Sequence, residues 1–333
     1  MLAKAAAEIP AEGRWLYEPK WDGFRAIVFR DGDHIHIASR NALALERYFP
    51  ELIDPLKAAL PARSIVDGEV VIATDHGLDF DALQLRIHPA ESRVRMLASQ
   101  TPASVVLFDV LALDDDDLRQ WPLEERRAAL VRAIRSSTWV GVTPQTADPQ
   151  EAAQWFTRYE GAGLDGVVAK DPAGPYRPGE RRWVKVKHLR TVDCVVGGYR
   201  TATRGTGIGS LLLGLYSSDG VLHYVGHTSS FDAAERRAIF DQLQPLLAEG
   251  SFGQGRTPGG PSRWARAAET SWTSVRPELV CEVSFDHLQG GRFRHASRFL
   301  RWRPDKAPRD CDFEQLSPPD AFSLQDILLD PRA

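Results

Sequence analysis

Cysteine is scarce in this 333-residue chain: Cys194, Cys281 and Cys311 are widely spaced and form no CxxC pair. That excludes a four-cysteine zinc site and a dense disulfide framework, and it fits a reducing cytoplasmic setting. No run of eighteen apolar residues occurs, and the opening MLAKAAAEIPAEGR holds no sustained hydrophobic segment, so neither a membrane span nor a secretory signal is expected. The nine histidines include no HExxH pair, and no GxxxxGK[ST] loop is present. Charge of one sign is lacking too. With 41 Lys and Arg against 45 Asp and Glu the net charge is −4, so a polyanion partner must be sought in local clusters. What is present is 43% hydrophobic residues, enough for a core in each of two units.

The first half mixes short β-rich runs with helical patterns. FRAIVFR (24–30), SIVDGEVVI (64–72) and SVVLFDVLAL (104–113) read as strands, and LEERRAALVRAI (123–134) reads as a helix. A second helix is signalled over 149–159 by Asp148 as N-cap, Pro149 in the first turn and Gly161 beyond its end. This argues for α+β architecture and against a doubly wound sheet. After Leu189 come short glycine-separated strands (CVVGGYR, SLLLGLYS, LHYVGHT, LVCEVSFDHL) with one helix near 231–248, the pattern of a small barrel such as an OB-fold. The expected organisation is a first domain over 1–190, a barrel over 191–315 and an acidic tail over 316–333. From Asp310 onward six acids stand against one arginine.

The strongest chemical signal is Glu18-Pro-Lys20-Trp-Asp-Gly-Phe-Arg25, a lysine in a glycine-containing turn just before a strand. Such a lysine can attack phosphorus once its amine is neutral, and neighbouring cations favour that form. Asp67-Gly-Glu69 puts two carboxylates on one strand face, suited to a hard cation or a ribose; a hairpin turn is the competing reading. Phe108-Asp109 offers an aromatic face for a purine, or simply a core Phe with an edge Asp. In DGVVAK (165–170) an ideal strand would point Asp165 and Lys170 to opposite faces, which leaves Lys170 the weaker candidate. WVKVK (183–187) directs Lys185 and Lys187 to one side, as a triphosphate would need or as an edge strand guarded by lysines would have it. Residues 181–210 hold seven Lys or Arg against Asp193, and 289–309 hold seven against Asp305, two candidate tracks for a phosphate backbone. Gly205-Thr-Gly207-Ile-Gly209 precedes a strand and reads as a hairpin turn, and the tryptophans are expected in cores or at a domain junction.

The order of these motifs resembles that of the ATP-dependent DNA ligases within the covalent nucleotidyltransferases. KWDGFR (20–25), SRN (39–41), DGEVV (67–71), FDVL (108–111), DGVVAK (165–170), WVKVK (183–187) and RPDK (303–306) match that family's motifs I, Ia, III, IIIa, IV, V and VI in sequence. FDALQLRIHPAESRVR, KHLRTVDCVVGGYR and RFLRWRPDKAPRDC are most similar to the short stand-alone bacterial ligases of the C type. The likeness covers nearly the whole chain.

That resemblance implies a nucleotidyltransferase domain followed by an OB domain, with Lys20 carrying AMP. It further implies that Glu18 reads the adenine amino group, Phe108 stacks on the base, and Arg25 and Arg40 hold ribose or phosphates. Glu69 and Asp165 would serve ribose and metal, Lys185 and Lys187 the α-phosphate, and Arg303, Asp305 and Lys306 the pyrophosphate. Asp165 stands where the family has Glu. The implied cofactors are ATP and Mg2+ (or Mn2+). The implied partner is nicked or broken duplex DNA, with a repair polymerase or end-binding protein as a further one, in a monomer acting in DNA repair at the nucleoid. Rival readings are a GTP-using capping enzyme or RNA ligase of the same superfamily, and a non-catalytic OB protein with a dead nucleotide pocket.

Overall fold

The computed structural model describes residues 1–74, 77–159, 164–188, 190–202, 207–253, 258, 271–286, 288–289 and 291–316. The acidic tail expected over 316–333 lies outside them after Leu316, as do Gly161 and Gly205. The chain divides into two compact units, the first within Met1–His188 and the second within Leu189–Ser317.

In the first unit the order is β1 (Leu2–Ala6), β2 (Leu16–Pro19), β3 (Phe24–Asp31), β4 (His34–Ser39), α1 (Ile53–Ala59), β5 (Arg63–Val71), a short hairpin β6 (Ala73–Thr74) and β7 (Gly77–Leu78), α2 (Phe80–Leu85), α3 (Glu91–Gln100), β8 (Ser104–Leu113), β9 (Asp116–Asp117), α4 (Leu123–Ala133), β10 (Val140–Val142), α5 (Pro149–Arg158), β11 (Gly166–Lys170) and β12 (Arg181–Lys187). Two sheets carry it, one in the order β10-β8-β5-β3-β4 and one in the order β1-β12-β11-β2. The apolar run of β8 is buried because it is an interior strand of its sheet; Val105, Leu107 and Val110 pack with Val28, Val66 and Leu130 in one core. Asp148 caps α5 by accepting from Gln150 N at 2.8 Å, with Pro149 in the first turn, as its sequence signals require.

Two buried arginines brace this unit. Arg126 of α4 binds Asp109 of β8 through Nε and Nη2 at 2.8 and 2.9 Å, with both side chains sealed from solvent. Arg86 binds Glu51 at 2.7 and 2.8 Å and donates to the Tyr48 carbonyl at 2.7 Å. Buried guanidinium groups fitted this way hold three segments at once, and removal of either partner would strand a charge.

The second unit contains β13 (Arg190–Thr201), β14 (Ile208–Tyr216), β15 (Leu222–Thr228), α6 (Ala233–Leu243), β16 (Thr273–Ser274), β17 (Val280–Phe285), β18 (Leu288–Gln289), β19 (Arg292–Phe293) and β20 (Arg298–Trp302). Its main sheet runs β15-β14-β13-β17-β20. The two outer strands meet in parallel, Ser297 N donating to the His227 carbonyl and Phe299 N to Thr228 Oγ1, both at 3.0 Å. Closure of the third strand on the fifth gives the five-stranded barrel of an OB-fold. A capping box of Asp232 and Glu235 starts α6, and Leu243 and Ile239 of that helix enter the barrel core.

Candidate active site

The site is assembled by backbone pairing between β2 and β11. Glu18 lies opposite Val168, and beyond the strand Lys20 N donates to the Gly166 carbonyl at 2.8 Å while Asp165 N donates to the Lys20 carbonyl at 2.9 Å. This reciprocal pair fixes Lys20 against Asp165, and the side chains meet with Nζ to Oδ2 at 2.6 Å. Gly166 is required where it stands: φ is +127°, and a Cβ would sit 2.0 Å from the Val186 carbonyl oxygen. Lys187 of β12 reaches the same Asp165 oxygen at 2.8 Å, so one buried carboxylate holds two ammonium groups.

Lys20 opens onto a cavity of about 320 Å³ lined by Glu18, Arg25, Arg40, Glu69, Phe108, Lys170, Trp183 and Lys185 among others. Of the residues to which the resemblance gives a role, Glu18, Arg25, Arg40, Glu69, Phe108 and Lys185 line it with Lys20. Asp165 and Lys187 are joined to it through Lys20. Arg303, Asp305 and Lys306 belong to the second unit, where Arg303 binds Asp193 at 2.9 and 3.0 Å and Asp305 at 2.8 Å. The hydrogen bond from Arg303 holds the Asp305 carboxyl at about 2.

The floor is β3 and β5. Arg25 faces Glu69 across the strand pair but binds Asp67, with Nε to Oδ1 at 3.0 Å and Nη2 to Oδ2; Tyr176 donates to Asp67 Oδ2 at 2.8 Å. Arg25 therefore enters the cavity wall already neutralised. Glu69 has no such partner among the described residues, and loss of solvation pushes its carboxyl up to about 8 against the pull of Lys20 and Arg25, with Asp67 and Asp22 adding to the rise. On β12, burial together with the Lys187 and Lys20 ammonium groups depresses Lys185.

Three features were not legible in the sequence. Lys170, set aside on strand parity, lines the cavity: Asp165 precedes β11, so the alternation rule never applied to the pair. Its Nζ lies 2.6 Å from Glu18 Oε2 and stands over the rings of Phe108 and Trp183 at 4.6 and 4.2 Å from their centroids. Trp183 packs in a core with Phe108, Leu111 and Tyr176 as expected, and is also a cavity wall, its ring edge-on to Phe108 at 5.8 Å, on the same strand face as Lys185. Asp109, by contrast, leaves the cavity altogether for Arg126. The basic run 181–210 is divided between the units: Arg181 and Lys185 line the cavity, Arg190 and Arg200 lie on β13, and Arg204 is outside the described residues. In the second run Arg301 and Arg303 are committed to Glu282 and Asp193.

The donor set suits a hard divalent cation. Glu69 and Asp165 offer carboxylate oxygens only, and the raised Glu69 carboxyl records a burial cost that a cation would relieve. Among the described residues no group of three or more His, Cys, Asp or Glu is placed to hold a metal.

Two family models match the chain: the ATP dependent DNA ligase domain over residues 1–187 and the ATP dependent DNA ligase C terminal region over 204–306. The sequence is 52% identical to DNA ligase C of Mycobacterium tuberculosis, covering 98% of this chain and 96% of the relative. It is 50% identical to DNA ligase C1 of Mycolicibacterium smegmatis, with the same coverage on both sides. A solved Lig E DNA ligase superposes with a TM-score of 0.53 at 17% identity, over 91% of this chain and 100% of that one, a likeness of fold. On these matches the chain belongs to the ATP-dependent DNA ligase family.

Proposed function

We propose that the chain seals 3′-hydroxyl/5′-phosphate breaks in duplex DNA through a lysyl-AMP intermediate on Lys20. The observation that carries this reading is the placement of Lys20 Nζ at the wall of a cavity that also presents Glu18, Phe108, Glu69 and Lys185. ATP would lie with its adenine against Phe108 and its amino group toward Glu18. Arg25 and Arg40 would serve the ribose or phosphates, and Lys185 and Lys187 the α-phosphate. Lys20 Nζ forms the bond to the α-phosphorus as pyrophosphate leaves, and Asp165 Oδ2 at 2.6 Å is in reach of the proton that Nζ must shed. AMP then passes to the 5′-phosphate of a nick, and attack of the 3′-hydroxyl expels it.

Glu69 and Asp165 would hold Mg2+, or Mn2+, which when bound neutralises charge on the phosphate oxygens. The shorter Asp165 in place of Glu would draw that site closer to the strand. The domains are assigned as nucleotidyltransferase over 1–190 and OB-fold over 191–315, with Arg303, Asp305 and Lys306 orienting pyrophosphate during the first step. Nicked or broken DNA is the macromolecular substrate, with a repair polymerase or end-binding protein as further partner and the monomer as working form at the nucleoid. Among the described residues no helix is long and apolar enough to cross a membrane.

The test is incubation with α-labelled ATP and Mg2+. Wild type acquires acid-labile, alkali-stable label and Lys20→Ala acquires none; Lys20→Arg also fails because a guanidinium stays protonated. Label retained by Lys20→Ala would remove Lys20 as nucleophile.

A further inference from the structure

Gln145 belongs to none of the seven sequence motifs, yet it is bonded to the group that faces the base. Glu18 is 3% exposed and both of its oxygens are engaged, Oε2 by Lys170 Nζ at 2.6 Å and Oε1 by Gln145 Nε2 at 2.7 Å. The segment bearing Gln145 is locked beside β2. Tyr17 N donates to the Thr146 carbonyl at 2.8 Å and Thr146 N to the Tyr17 carbonyl at 3.0 Å, a two-residue extension of the sheet. Two residues earlier Thr143 is fixed on three sides: its Oγ1 accepts from Trp21 Nε1 at 2.8 Å, its N donates to the Leu107 carbonyl at 2.8 Å, and its carbonyl accepts from Arg127 Nη2. Trp21 adjoins the nucleophile in the chain, so one small scaffold sets Gln145 and abuts Lys20.

We infer that Gln145 is a positioning residue for nucleobase selection, holding the Glu18 carboxylate so that it meets the base as an acceptor and nothing else. This rests on the reading of the cavity as an adenine nucleotide pocket. A carboxylate oxygen has two lone-pair directions. Lys170 and Gln145 take one on each oxygen and leave the others for a donor. A purine with a 6-amino group supplies that donor. A 6-oxo purine brings a second acceptor against an ionised, buried carboxylate and is repelled. Without the amide, Glu18 is restrained from the Lys170 side alone and can turn toward that ammonium and the Arg127 guanidinium, which lies close enough to interact with it electrostatically. The amide orientation follows from the partner: a carboxylate only accepts, so Nε2 must be the atom turned toward it.

The experiment measures Lys20-dependent adenylylation or inosinylation in single turnover, with ATP or ITP and the full chain. Gln145→Leu should raise the KM for ATP about tenfold, the size of one charge-assisted hydrogen bond, and lower the ATP-over-ITP preference by about the same factor. The saturating rate should stay within about threefold, because Gln145 touches no reacting atom. Gln145→Met, of similar length and without a donor, should reproduce both effects, which keeps the test valid if Leu disturbs folding. Gln145→Glu regains a donor only when protonated, so its KM should fall toward wild type between pH 8 and pH 6 while that of Gln145→Leu does not. Unchanged KM and unchanged ATP-over-ITP preference in the Leu and Met variants would overturn the inference, as would a wild type that uses both nucleotides equally. Failure of the pocket reading is seen separately, as label persisting in Lys20→Ala.

Discussion

The two units bury titratable groups in opposite ways. Among the described residues seven charged side chains are buried, Glu18, Asp67, Arg86, Asp109, Arg126, Asp165 and Lys170, and all lie in the first unit. Each sits in an ion pair. The second unit buries serines, a threonine and the three thiols Cys194, Cys281 and Cys311, none of which needs to be charged. Burying an ion costs several kcal/mol that its partner only partly offsets, whereas a neutral thiol packs as a small hydrophobe. The first unit therefore accepts electrostatic cost both at the cavity, in Glu18, Asp165 and Lys170, and away from it, in the Arg86–Glu51 and Arg126–Asp109 pairs that brace the fold. The second stays an inexpensive barrel whose ionic groups, Arg303, Asp305 and Lys306 included, are at or near its surface.

If the second unit acts from its surface, that contribution should be removable without disturbing the first. The largest effect is expected from changing Asp305 and Lys306 together to Ala. Enzyme adenylylation should fall on the order of a hundredfold, as for loss of preorganised groups at a leaving group, while sealing of a nick already bearing 5′-AMP stays within a few fold. Single-turnover rates for the two reactions decide it. Equal losses would mean that the variant has lost its fold.

Next in size is the cost of opening a sealed pair. Arg126→Ala leaves Asp109 as an uncompensated buried carboxylate and should destabilise the first unit by about 3–5 kcal/mol in urea unfolding. Replacing both members by apolar residues, Arg126→Met with Asp109→Leu, should restore most of that loss. A double variant as unstable as the single one would show that the pair does more than cancel its own charge, for instance through the hydrogen bonds from Arg126 to the Trp121 and Gly174 carbonyls at 2.6 and 3.1 Å.

How much of this could be read from residues alone depended on whether the signal was local. Ser104–Leu113 forms the strand its apolar run announces, and Asp148-Pro149 starts α5 as capping chemistry requires. Lys20 and Glu18 were legible because a turn of that composition has few other uses. Lys170 ranked only as the weaker candidate because its relation to Glu18 is set by the β2–β11 register, a pairing across about 150 residues that no periodicity reveals. Trp183 packs in a core as expected, and its second place on the cavity wall was not legible because an aromatic residue on a strand reads the same in either position. Asp109 could be placed only once α4 brought Arg126 over it. The basic run at 181–210 spans the unit boundary that the change of texture after Leu189 already signals, so it is two basic segments and not one track.

The smallest effect tests the second unit's side of the comparison. Cys194 and Cys281 are directly opposed on β13 and β17, and Cys311 is sealed with them in the same core. Burial pushes all three thiols up, Cys311 to about 12, and for each the neighbouring carboxylates or thiols add to the rise. The reactive species is the thiolate. At pH 8 a thiol with a pKa of about 12 is ionised to about one part in ten thousand, roughly a thousandfold less than one at its ordinary value of 9.0. Access is restricted as well, since Cys194, Cys281 and Cys311 are 0% exposed. The native enzyme should therefore consume no aromatic disulfide reagent on the minutes timescale at pH 8. All three equivalents should appear only at the rate of unfolding of the barrel, and raising the pH to 9 should barely change that rate because opening, not ionisation, limits it. Reaction of one thiol in seconds without loss of barrel structure would break the contrast, placing in the second unit a group that is buried, ionised and unpaired.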